Sequence, residues 1–71
     1  MNFKEFRIRK GFANVANLAK ILGITKPYIY MMDNGERTPG LKLMKKMSEL
    51  FDTSLDEMNA IFFDDKPYSM L

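Results

Sequence analysis

The chain has 71 residues, a formal net charge of +2, no Cys and no His. That length supports one small core, and the missing thiols and imidazoles exclude disulfide staples, thiolate metal sites and the usual general base. Residues 1–46 carry ten of the eleven Lys/Arg against three acids, a net +7, whereas residues 47–71 carry one against six, a net −5; the first part therefore offers a cationic surface to a polyanion and the second does not.

Residues 2–10 are predicted as a first helix, with Phe3 and Phe6 three apart on one face and Gly11 as its stop. Asn14 is a cap for a second helix whose apolar set is Val15, Leu18, Ala19 and Leu22, ended by Gly23. The turn Gly23-Ile24-Thr25 leads to a third helix capped by Thr25, with Pro27 in its first turn, where a missing N–H is harmless. Ile29 and Met32 are its inward residues, joined by Ile24 from the turn, and Asn34-Gly35 stops it. Two short helices joined by a tight turn containing glycine form a helix-turn-helix arrangement, in which the second helix is shaped for a DNA major groove.

Pro39-Gly40 opens a fourth helix, with Leu41, Met44, Met47, Ser48 and Phe51 repeating at helical spacing as its buried face. Ser54 with Glu57 three residues later is a capping box for a fifth helix over about Leu55 to Phe62. No β-alternation and no internal repeat is visible, so the expected fold class is all-α with five helices. The expected organisation is one domain over 1–62 and a C-terminal tail over 63–71. No run of 18 apolar residues and no signal peptide is visible, so a soluble, cytoplasmic protein is expected.

The order of these signals resembles the Cro/repressor type of helix-turn-helix domain, the XRE family. The resemblance rests on Phe6-Arg7-Ile8-Arg9-Lys10-Gly11, Asn14, Leu18 through Thr25, Tyr28 through Pro39, Leu41, Met44, Met47-Ser48, Phe51 and Ser54 through Met58, about residues 3–60 in all. Together these motifs are specific; any one alone is weak. The resemblance implies a lambda-repressor-like fold, and the small size is most similar to a phage Cro or a lone repressor DNA-binding domain. It also implies that Arg7 pairs with an acid at the end of helix 3, here Asp33, as a partly buried structural ion pair.

The DNA-facing positions depart from the family pattern. Where relatives place a phosphate-holding Gln at the start of helix 2, this chain has Val15. The base-reading positions of helix 3 are Lys26, Pro27, Tyr30 and Met31, and Thr25, the cap before them, is counted with the DNA-binding residues. Lys26 can donate to guanine O6/N7 or to phosphate, and Pro27 and Met31 offer apolar contact suited to thymine methyls. Tyr28 falls where relatives commonly touch the DNA backbone, and a phenol there can donate to phosphate. Arg37, Lys42 and Lys45 flank the start of helix 4, whose free N–H groups and positive dipole end favour phosphate. Lys20 and Lys46 read as ordinary surface charges, and Met32, Met44, Met47 and Met58 as core filler.

Ile61, Phe62, Phe63, Tyr68, Met70 and Leu71, with Leu43 and Leu50, make an apolar set larger than five short helices should bury. A homodimer through about residues 55–71, with Ile61, Phe62, Phe63 and Tyr68 at its interface, is the expected partner arrangement. The expected function is a sequence-specific regulator of transcription that binds double-stranded DNA, with no enzymatic activity, metal or cofactor. The alternative is a protein-interaction module, such as an antirepressor or modulator, that uses the helix-turn-helix face to bind another regulator.

Overall fold

The computed structural model describes residues 2–63. Five helices follow one another: α1 Phe3–Arg9, α2 Val15–Leu22, α3 Lys26–Asp33, α4 Leu41–Leu50 and α5 Leu55–Phe63. No strand occurs among the described residues. None of these helices is long and apolar enough to cross a membrane.

Each helix is short, the longest being ten residues, below the length at which an isolated helix persists in water. Their stability therefore comes from caps and from burial. Asn14 accepts from the Asn17 N–H at 2.9 Å and Thr25 from the Tyr28 N–H at 3.2 Å. Ser54 and Glu57 satisfy one another's N–H groups, at 3.1 and 3.2 Å. A second capping box, between Asn2 and Glu5, starts α1. It makes Asn2 the cap, so α1 spans 3–9 instead of the expected 2–10.

The core is built from Phe3 and Phe6 of α1, Leu18, Ala19 and Leu22 of α2, Ile29 and Met32 of α3, Met44 and Met47 of α4, then Phe51 and Met58. Phe51 is its aromatic hub. The rings of Phe6 and Phe12 meet it edge-on at 5.3 and 5.2 Å, and that of Phe3 lies at 6.2 Å, geometries that match the ring quadrupoles.

Three expectations change here. Leu41, expected on the buried face of α4, is 67% exposed. It is the first helical residue, one turn before Met44, and no neighbouring element covers it; the buried stripe begins at Met44. Leu43, Leu50, Ile61 and Phe62, expected as apolar surplus, instead pack against the core as half-buried residues. Phe62 in particular lies 5.2 Å from Phe3, tying the end of α5 to the start of α1. Phe63, expected in the tail, is the last residue of α5 and is 48% exposed. Tyr68, Met70 and Leu71 lie outside the described residues.

Candidate nucleic-acid interface

The site is organised by the turn between α2 and α3. Gly23 has φ +72°, the left-handed region that a side chain resists. It ends α2 sharply, and the Ile24 N–H donates back to the Ala19 carbonyl at 3.0 Å. Ile24 drops its side chain against the core, and Thr25 caps α3.

Which residues α3 presents follows from its period. At about 100° per residue, Lys26, Tyr30, Pro27 and Met31 span an arc of roughly 140° on one side, and Tyr28, Met32, Ile29 and Asp33 occupy the other. Burial matches that division. Ile29 and Met32 are buried; Lys26, Pro27 and Tyr30 are exposed, and Met31 is half-buried. Tyr28 is the residue whose placement changes most. Its ring packs against the core, its N–H is engaged by Thr25, and the Arg37 guanidinium lies over the ring at 5.7 Å. It thus supports Arg37 from the inner side of α3.

Two polar devices hold this frame from behind. Arg7 and Asp33 form a two-pronged pair, Nε to Oδ1 at 3.1 Å and Nη2 to Oδ2 at 2.9 Å. The same guanidinium donates to the Phe12 and Ala13 carbonyls at 3.0 and 3.2 Å. The pair clamps α1 to the last residue of α3, where the negative end of the helix dipole would otherwise disfavour a carboxylate. Lys46, expected as an ordinary surface charge, is instead a structural donor. Its Nζ donates to the Leu22 carbonyl at 3.2 Å and so caps the carbonyl end of α2 from α4. No local pattern in the sequence announces this bond, because its partners stand 24 residues apart.

The start of α4 lies beside the turn. Gly40, Lys42, Leu43 and Lys46 line one groove together with Leu22 and Ile24. The α4 N-cap is Gly40, and no side chain bonds to that helix's first N–H groups; they stay available to an anion. The start of α3 differs, since Thr25 occupies one donor there and Pro27 has none. Arg37, Lys42 and Lys45 are exposed; Lys42 is the second residue of α4 and Lys45 lies about one turn further on, while Arg37 lines a separate cleft with Asn2, Phe3 and Phe62. Val15, at the first position of α2, is half-buried against the core, and its side chain has no group to offer phosphate. Among the described residues no cluster of three carboxylates forms that could hold a metal.

A helix-turn-helix family model, HTH_3, matches residues 3–58. No curated protein and no solved structure matches the chain.

Proposed function

Because this chain belongs to the HTH_3 helix-turn-helix family, of the XRE/Cro/C1 type, we propose that it is a regulator of transcription that binds specific sequences in duplex DNA. The family is one of DNA-binding domains, not of enzymes, and the five helices have the lambda-repressor-like arrangement. The observation that carries the proposal is the pairing of an outward arc on α3 with an uncapped, lysine-flanked α4 N-terminus beside the same turn. A helix in the major groove needs phosphate contacts on its flank to fix its register.

In this reading Thr25 and Lys26 lead α3 into the groove, and Lys26, Pro27, Tyr30 and Met31 face the base edges. Arg37, Lys42 and Lys45 hold phosphate. Regulation would follow from occupying an operator or recruiting other factors to it. Two copies would bind half-sites roughly 34 Å apart on successive major grooves, joined through residues of about 55–71. Phe63 and the half-buried Ile61 support that contact from within the described residues; Phe62 contributes by fixing α5 on α1. A binding module for another regulator is the reading that takes over if duplex DNA is not bound.

The test is a duplex-DNA titration at two salt concentrations. With about six phosphates neutralised in a two-copy complex, affinity should fall about a thousandfold between about 50 and 200 mM salt. Lys42→Ala removes one phosphate contact from each copy and should reduce the salt slope by about two, equally on all sequences. Absence of binding at low salt, or binding indifferent to salt, would refute the proposal.

A further inference from the structure

We propose that the outer arc of α3 selects A·T base pairs through the thymine C5 methyl group, and sets its register on one guanine beneath Lys26. The inference rests on the DNA reading above and names what that reading would recognise.

The arc is defined by what its side chains can and cannot do. Direct recognition of adenine in the major groove needs a side chain that donates and accepts together, an amide; cytosine needs an acceptor. Between Lys26 and Asp33 no amide is present, and the single carboxylate, Asp33, is locked to Arg7 with 6% of its side chain exposed. Thr25 uses its hydroxyl as the α3 cap. Asn34 shares the azimuth of the arc but stands two turns beyond Lys26, about 12 Å along the axis, among residues lining a cleft with Asn2 and Phe3. It is too far along for a helix that reads bases with its N-terminal end.

What remains is divided in two. Lys26 and Tyr30 form a polar edge; lysine only donates, and the phenol of Tyr30, 51% exposed, donates or accepts through a single oxygen and cannot make the paired contact of an amide on adenine. Pro27 and Met31 form an apolar edge about 100° round the helix from it. Lysine matches guanine O6 and N7. Neither Pro27 nor Met31 carries a hydrogen-bond donor on its side chain, and Pro27 has no backbone N–H. The apolar feature that separates A·T from G·C in this groove is the thymine methyl. Met31 is half-buried, which leaves part of its surface accessible to that contact.

Duplexes enriched by the full chain from a random-sequence pool provide the test. The enriched duplex is remade with deoxyuridine for thymine, which keeps pairing and removes the methyl, and separately with 7-deazaadenine, which removes the N7 acceptor. Uracil should weaken binding by about fourfold for each methyl contacted, the value of one buried CH2 group, and 7-deazaadenine should leave binding unchanged. The variant Pro27→Ala/Met31→Ala should bind thymine and uracil duplexes alike. Equal binding of both duplexes by the parent chain, loss on 7-deazaadenine, or an undiminished uracil effect in the double variant would overturn the assignment while leaving DNA binding in place. Failure to enrich any duplex would overturn the DNA reading as well.

Discussion

Removal of Arg7 should be the most destabilising single change outside the apolar core. Its side chain is 3% exposed and that of Asp33 is 6% exposed, so Arg7→Met leaves a carboxylate without its cation in a dry site. That carboxylate sits at the negative end of α3, which adds to the penalty. The Phe12 and Ala13 carbonyls lose their donors at the same time. Breaking a buried pair from one side costs about 3–5 kcal/mol, against a total stability of about 4–10 kcal/mol for a chain of this length. Asp33→Asn should cost less, about 1–3 kcal/mol. It removes a charge but keeps an acceptor, and the guanidinium retains its two carbonyls. Arg7→Met/Asp33→Leu should recover part of the loss, because two apolar groups leave no charge stranded. Thermal melts of the three variants against the parent read these differences, with each kcal/mol moving the midpoint by about 4–8 °C. Single variants that melt with the parent, or a double variant that costs the sum of both, would refute a buried, coupled pair.

Three further outcomes follow from particular residues. Tyr28→Phe should bind DNA as the parent does, because the ring beneath Arg37 is kept, whereas Tyr28→Leu should lose about two- to fivefold, the worth of an exposed cation–π contact; a loss in Tyr28→Phe would return the phosphate contact to the phenol. Asp52 stands just past the end of α4 at φ +54°, so Asp52→Gly or Asp52→Asn should raise stability by about 0.5–1 kcal/mol by removing side-chain strain, adverse charge, or both, and a lower melting midpoint in both would refute this. Glu57 is held below the usual carboxylate range, chiefly by the Thr53 hydroxyl and then by the Ser54 N–H and hydroxyl. Its stabilisation is full above the unfolded-state pKa and disappears as pH falls through the lower folded-state value. The parent should therefore lose more stability than Glu57→Gln on acidification from about pH 5 to about pH 3, and parallel losses would exclude this role.

The local grammar of the chain is legible because caps and breakers act within a few residues. Asn14, Thr25, Ser54 with Glu57, Pro27 and Gly23 act from their own neighbourhood, and both ends of α2 and the starts of α3 and α5 fall where those residues put them. Asn2 with Glu5 carries the same pattern as Ser54 with Glu57, and it is the signal that could have fixed the start of α1. Periodicity identifies a helix face but not how far a neighbour covers it. That is why Leu41, in phase with Met44, stands in solvent, and why Leu43 and Leu50, out of phase, are half-covered. Lys46 and the Tyr28–Arg37 stack depend on the approach of separate elements, which no spacing encodes. The pairing of Arg7 with Asp33 is reachable only through family resemblance; charge and position alone leave Arg7 equally suited to phosphate.

The division of labour within α3 explains how one eight-residue helix can be both rigid and adaptable. Too short to hold itself together in water, it is fixed at its start by Thr25, at its end by the Arg7–Asp33 clamp and along its inner side by Ile29 and Met32. All of these lie off the outer arc. Lys26, Pro27 and Tyr30, all exposed, therefore add little to folding, and substitutions at exposed positions away from such features usually change stability by less than about 0.5 kcal/mol. The frame holds them in place without dictating their chemistry. An arc that departs from the family's polar choices is then compatible with an intact fold, and its departures are best understood as a change in what is recognised.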